Sequence, residues 1–243
     1  MTTYEPATGT WMTPHGHAVT LEYRLDTNDS NTISSCMGPN DEYGIPSGLR
    51  GCALDIGAYL GSVTIALLMD NPDLYVTAVE PVPDNVRLIR RNLELNGCAD
   101  RCTVIEGAVG GPLDGPVTVW YGYSGNESAE HHAFVGNSSL AYDHGGFLPH
   151  KSVTYEPWFF SQLNQNFYPI RWAKIDAEGA EWEFLKDPAV EQVDYWVGEW
   201  HPVRGHVRAD LIPLLGKTHD LTFSVPDGVD PEHGPGQFTA TKR

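Results

Sequence analysis

The sequence predicts an α/β fold built on a doubly wound, mostly parallel sheet, and three observations carry that prediction. Residues 52–56 form a short apolar run that breaks at Gly57 into a glycine-punctuated turn and then enters the apolar segment 63–68. A second run, 74–79, stops on the acid Glu80 and is followed by Pro81 and another helix start. A third, 102–105, closes on Glu106, Gly107 and Ala108. Strand, turn and helix in repeated succession require crossover connections, and crossovers give parallel pairing with helices on both faces.

The 243 residues suffice for one large domain with a substantial core and no staples. No internal repeat or linker divides the chain, so residues 1–243 read as one domain, with 1–50 as an N-terminal strand and helix extension. Net charge is −17, from 15 basic and 32 acidic side chains. Nucleic-acid binding needs a basic face to neutralise phosphates, and an anionic membrane repels such a chain, so neither is an expected partner. No apolar run approaches the roughly 18 residues of a membrane helix, and no charged-then-apolar leader opens the chain. A soluble, cytoplasmic protein is expected. Cys36, Cys52, Cys98 and Cys102 form no C-x-x-C pair and read as reduced thiols without a metal.

In chain order, alternation through residues 18–23 suggests an edge strand or hairpin leading into the domain. His15 and His17 read as surface histidines. Turn and cap residues at 26–32 start a short helix, and their side chains could also hydrogen-bond a ligand. Residues 38–48 are loop. After the first two strands, Pro81, Pro83 and Asp84 open a helix whose buried stripe is Val86, Ile89 and Leu93, ended by Asn96-Gly97. Residues 117–123 are β-like. From 124 to 151 the chain is polar, histidine-rich and without periodicity, a loop expected on the substrate side. Residues 153–166 read as an amphipathic helix carrying Trp158, Phe159, Phe160 and Leu163. A fourth strand, 170–176, precedes a helix at 182–186. A fifth spans 193–201, and a helix follows at 208–215. The strands 221–225 and 237–241 then form a terminal antiparallel hairpin.

The first two turns suggest a nucleoside site. Gly57 and Gly61 remove side chains where backbone meets ligand, and the helix start offers free N–H groups. Glu80, ending the second strand, suits a ribose diol. Asp55, just before the first glycine, favours a ligand with a cationic amino group and sulfonium over one with phosphates. The G-x-G-x-x-G of a dinucleotide site is missing. S-adenosylmethionine therefore fits better than a nicotinamide dinucleotide, with an ordinary turn binding nothing as the remaining alternative.

Three blocks then resemble the FkbM family of S-adenosylmethionine-dependent methyltransferases: Leu54-Asp55-Ile56-Gly57-Ala58-Tyr59-Leu60-Gly61, Ala78-Val79-Glu80-Pro81 with its helix, and Lys174-Ile175-Asp176-Ala177-Glu178-Gly179-Ala180-Glu181. Glu199-Trp200-His201 also falls where the family often places an acid and a histidine. Tyr59 departs from the family's usual Asn. The resemblance implies a Rossmann-like class I methyltransferase with a seven-stranded sheet. It also implies methyl transfer to a hydroxyl of a sugar, glycan or secondary metabolite, leaving S-adenosylhomocysteine. The expected cofactor residues are Asp55, Gly57, Ala58, Tyr59, Gly61, Ser62, Glu80, Pro81, Asn85, Glu106, Gly107, Ala108 and Asp176.

Asp176 closes the fourth strand while Glu199 and His201 close the fifth, so the three are expected to meet at the reaction centre. Two mechanisms follow. In one, His201 is a metal-free general base oriented by Asp176 or Glu199. In the other, Asp176, Glu199 and His201 hold a divalent cation that acidifies the acceptor. A structural alternative has Asp176 and Glu178 capping the next helix. The other functional readings are a nicotinamide-dependent oxidoreductase and a non-catalytic S-adenosylmethionine-binding module. The expected partner is a small-molecule or glycan acceptor, with a homodimer as the default assembly.

Overall fold

The computed structural model describes residues 5–111, 115–123, 131–136, 151–163, 169–203 and 205–243. Its elements run β1 (Pro6–Met12), β2 (Ala18–Arg24), α1 (Asp29–Cys36), β3 (Gly51–Ile56), α2 (Ser62–Asp70), β4 (Leu74–Glu80), α3 (Pro83–Leu95), β5 (Cys102–Glu106) and β6 (Val117–Tyr123). They continue with β7 (His131–Gly136), β8 (Lys151–Tyr155), α4 (Phe160–Leu163), β9 (Ile170–Ile175), α5 (Glu181–Phe184), β10 (Tyr195–Trp200), α6 (Leu211–Leu215), β11 (His219–Ser224) and β12 (Gly236–Lys242). The central sheet has seven strands in the order β11-β12-β10-β9-β3-β4-β5. Neighbours from β10 to β5 pair in parallel, and β12 runs antiparallel to both β10 and β11. The expected terminal hairpin is therefore present, with β12 wedged between β10 and β11.

Burial explains why the central strands are apolar. β3 is covered on both faces, so Ala53 packs into one core layer while Cys52, Leu54 and Ile56 enter the other. The first layer joins β3 to α1, α2, α3 and the N-terminal hairpin through Leu21, Ile33, Ile65, Leu68 and Ile89. The second gathers Phe160, Trp182, Trp196, Trp200 and Leu211 beneath β9 and β10. In α3, Pro83 occupies the first turn, where its missing N–H costs nothing. The predicted stripe Val86, Ile89 and Leu93 is buried together with Leu88 and Asn92.

The N-terminal hairpin is tied down by two asparagines one turn apart, Asn92 of α3 and Asn96 at its C-cap. Asn92 accepts from the Glu22 N–H at 2.6 Å and donates to the Glu22 carbonyl at 3.2 Å. Asn96 treats Thr20 in the same way, at 3.0 and 2.8 Å. The two amides act as a surrogate strand along the edge of β2. His15 and His17 have structural partners there: His15 Nε2 lies 2.9 Å from the Ile45 carbonyl, and His17 Nδ1 lies 2.7 Å from Asp70. All four cysteines are free thiols. Among the described residues no helix is long and apolar enough to cross a membrane.

Two stretches differ from the sequence reading. The predicted helix over 153–166 is replaced by β8 and the short α4. Val153 and Tyr155 are half-buried between exposed Ser152 and Thr154, a two-residue period that pairs with β6. Among the described residues of that stretch Phe160 to Leu163 are helical, with the Phe160 ring 6.1 Å from Phe184 and 6.0 Å from Trp196. The stretch 124–151, expected as unbroken loop, contributes β7 to a second sheet of order β7-β6-β8. Residues 124–130, 137–150 and 164–166 lie outside the described residues.

Candidate functional site

Beyond the carboxyl ends of β3, β4, β5 and β9 the following turns enclose a cavity of about 300 Å³. Open α/β sheets bind ligands at this edge, because the strand-to-helix turns there present backbone groups and helix starts. Of the expected cofactor residues, Gly57, Ala58, Tyr59, Ser62, Glu80, Pro81, Asn85, Gly107, Ala108 and Asp176 line the cavity. Asp55, Gly61 and Glu106 do not.

The turn after β3 is shaped by the chain's own packing. Gly57 (φ +75°), Tyr59 (φ +53°) and Gly61 (φ +84°) all adopt left-handed backbone. A Cβ on Gly57 would lie 1.7 Å from the Asp176 carbonyl oxygen, and one on Gly61 3.3 Å from Ile89. The sequence reading assigned these glycines to ligand approach; close contact with the Asp176 backbone already requires Gly57, and left-handed backbone already favours glycine at 61. Asp55 is sealed beneath this turn. Its Oδ2 accepts from the Thr64 hydroxyl at 2.6 Å, while Oδ1 has no hydrogen-bond partner and lies 3.8 Å from Lys174 Nζ. Burial raises its pKa.

Glu80 ends β4 with its carboxylate buried. Oε2 accepts from the Tyr59 N–H at 2.9 Å, and Oε1 from the Val82 N–H at 3.0 Å and the Asn85 amide at 3.1 Å. Burial outweighs these donors and pushes the Glu80 pKa up to about 7. Beside it, Asn85 Oδ1 is buried without a partner. Gly107, Ala108 and Val109 continue the wall from the end of β5, joined by Val119 of β6.

The ends of β9 and β10 bring Asp176, which lines the cavity, together with Glu199 and His201, which do not line it; one ligating atom from each lies within 4.8 Å of the others. His201 follows the last residue of β10, yet its ring still reaches the side of the sheet edge that Glu199 occupies. Glu181, fully buried at the start of α5, accepts from the Ala177 N–H at 2.8 Å and the Gly179 N–H at 2.9 Å, and holds His201 Nδ1 at 2.9 Å. His201 Nε2 then faces Glu178 at 3.4 Å and Glu199 at 3.9 Å. Burial disfavours the imidazolium, but Glu181, Glu178 and Asp176 overcome it and raise the His201 pKa to about 11. Burial, with Asp176 alongside, pushes Glu199 up to about 7. No side chain caps α5, whose N-cap is Ala180, so neither Asp176 nor Glu178 plays that part; Glu181 instead braces the turn that precedes the helix.

Several site residues were given no role in the sequence reading. Lys174, nearly buried on β9, donates to the Gly57 carbonyl at 2.7 Å and lies 3.4 Å from Asp176 Oδ2. Its neighbouring carboxylates raise its pKa despite burial. Tyr43 places its hydroxyl 3.2 Å from Asp176 and 3.3 Å from Glu199. Nothing in its glycine- and proline-rich loop signals that position. Asn28, Thr32 and Cys36 also line the cavity from around α1, and only the polar cluster at 26–32 hinted at a ligand there.

Residues 55–224 match the family described as the methyltransferase FkbM domain. No curated protein matches the sequence significantly. Among solved structures, precorrin-6y C5,15-methyltransferase from Geobacter metallireducens superposes with a TM-score of 0.45 at 15% identity, covering 88% of this chain and 87% of that one. TrmK of M. capricolum, in complex with S-adenosyl-homocysteine, gives 0.46 at 11% identity over 88% and 67%. The N-terminal domain of human METTL16, also with that product, gives 0.42 at 10% over 79% and 62%.

Proposed function

The chain belongs to the FkbM family of S-adenosylmethionine-dependent methyltransferases, and from that premise we propose that it methylates a hydroxyl oxygen of a sugar, glycan or secondary metabolite. The observation that carries this reading is the Asp176–Glu199–His201 cluster on the same sheet edge as Glu80. It gives a hydroxyl acceptor a place to leave its proton beside the cavity that Glu80 and Asp176 line. Glu80 and the unpartnered Asn85 Oδ1 suit a ribose diol, which can donate twice. The small and apolar residues Gly107, Ala108 and Val109 suit an adenine face. When bound, S-adenosylmethionine supplies the electrophilic methyl group.

Within that reading the acceptor proton goes to Glu199. His201, held between Glu181 and Glu178, carries a positive charge at neutral pH and serves as a charge partner, not as the base that the sequence suggested. Asp176 is tied to Lys174. Glu199 stands beside the cavity-lining Asp176, both bonded by the Tyr43 hydroxyl, and has a pKa near working pH, where a general base is most effective. Incubating the protein and S-adenosylmethionine with a metabolite and glycan library tests the proposal. An alkali-stable mass gain of one methyl on a hydroxyl compound is expected. Methylation confined to amines or carbon centres would overturn it.

One observation favours a second reading. Glu181 fixes His201 Nδ1 and leaves Nε2 facing Glu178 and Glu199, with Asp176 in the same cluster, the arrangement in which a carboxylate orients a metal-binding histidine. A divalent cation there would acidify the acceptor hydroxyl. Loss of turnover in chelator, restored by Mn²⁺ together with stoichiometric Mn²⁺ binding that His201→Ala abolishes, would select this reading over the metal-free one.

A further inference from the structure

The cavity wall is completed by a segment that precedes the matched family region. Asn28, Thr32 and Cys36 reach it from α1 and the turn before it, whereas the family match begins at residue 55. One side chain from the matched region fastens this segment in place. The Tyr59 hydroxyl donates to Asp29 Oδ1 at 2.6 Å. Asp29, fully buried, also takes the Arg24 Nε at 2.8 Å, the Arg24 Nη2 at 3.0 Å and the Arg24 backbone N–H at 2.9 Å. The Arg24 guanidinium lies 5.6 Å from the centre of the Tyr59 ring. The Tyr59 N–H meanwhile binds Glu80. A bulky residue in left-handed backbone thus links the buried acid of β4 to the first residue of α1.

We propose that Tyr59 is a positioning residue for the amino-acid end of the S-adenosyl cofactor, acting through Asp29 to hold Asn28 and Thr32 in the cavity wall. This rests on the cofactor reading above, in which Glu80 takes the ribose; the turn after β3, which lines the same cavity, then borders the methionyl group. The amino-acid end carries an ammonium and a carboxylate, and the Asn28 amide and Thr32 hydroxyl can serve one or both. A wall that shifts would leave those charges in water without disturbing the nucleoside end.

The test compares two ligands that differ only in that end: S-adenosylhomocysteine, and 5′-methylthioadenosine, which keeps the nucleoside and thioether and lacks the amino acid. Tyr59→Phe removes one hydroxyl while Asp29 keeps its bonds from Arg24, so the fold is retained. By calorimetry Tyr59→Phe should bind S-adenosylhomocysteine roughly tenfold more weakly, the effect of about one charge-assisted hydrogen bond, and 5′-methylthioadenosine within about twofold of the parent chain. Thr32→Val, which leaves the Tyr59–Asp29 bond intact, should show the same selectivity. A merely structural role for Tyr59 would weaken both ligands together. Equal losses, or undiminished S-adenosylhomocysteine affinity in both variants, would overturn this inference alone. A parent chain that binds neither ligand would sink the cofactor reading and this inference with it.

Discussion

At the scale of single residues, the site is governed by which charges the fold buries and with what partners. Glu80 has three donors and still titrates at about 7, because burial costs its charged form more than those bonds return. Its folded pKa stands above the ordinary 4.5, so the folded chain binds this proton more readily than the unfolded chain. Its favourable share of stability is full below 4.5 and is lost as pH rises through about 7. Ribose hydroxyls donating to the carboxylate reverse the preference, since they stabilise the charged form. S-adenosylhomocysteine binding should therefore release a proton and strengthen by roughly fivefold to tenfold between pH 6 and pH 8. Calorimetry in buffers of different ionisation enthalpy reads the proton directly. Affinity that stays flat across that interval would place the ribose elsewhere, and Glu80→Gln should bind weakly at every pH. His201 shows the opposite balance: its surrounding carboxylates outweigh burial and keep the ring charged.

At the scale of elements, the surrogate strand formed by α3 explains how a polar helix face becomes structural. Asn92 is fully buried and bonds three backbone groups, the Glu22 N–H and carbonyl and the Leu60 carbonyl. Asn92→Ala leaves those groups without partners and should cost about 2 to 4 kcal/mol in urea unfolding. Asn96, bonding at the rim, should cost about 1 kcal/mol. Equal and negligible losses would mean that water replaces both amides. The sequence made α3, the strands and their parallel order legible because burial on both faces leaves continuous apolar runs and one-sided burial leaves a 3.6-residue stripe. It made Asp176, Glu199 and His201 legible because they sit at the ends of neighbouring strands. It could not show that β8 is a strand, since four aromatic or apolar residues at 158–163 imitate a helix stripe once merged with Val153. Tyr43 was hidden for another reason: its partners Asp176 and Glu199 lie far along the chain, and no local pattern encodes that distance.

At the scale of the whole molecule, the first fifty residues belong to the fold as much as the matched family region does. Val19, Leu21, Ile33, Met37, Tyr43 and Ile45 are buried in the same core layer as Leu67 and Ile89. Thr13 and His17 both bond Asp70 at the end of α2, and Gln237 of β12 reaches Glu42 at 2.9 Å. Exposing this layer forfeits on the order of 10 kcal/mol of apolar burial, comparable with the entire stability of an ordinary domain. It would also leave Asp70 buried with fewer partners, and Lys174 and Asp176 without the Tyr43 ring and hydroxyl. A chain starting at residue 50 should consequently show no cooperative thermal transition by circular dichroism, although it retains everything the family match covers. The full chain should melt in one transition, with S-adenosylhomocysteine raising its midpoint. A sharp transition in the shortened chain at the parent midpoint would make the N-terminal segment an appendage, and the wall that Tyr59 secures would then be dispensable for folding.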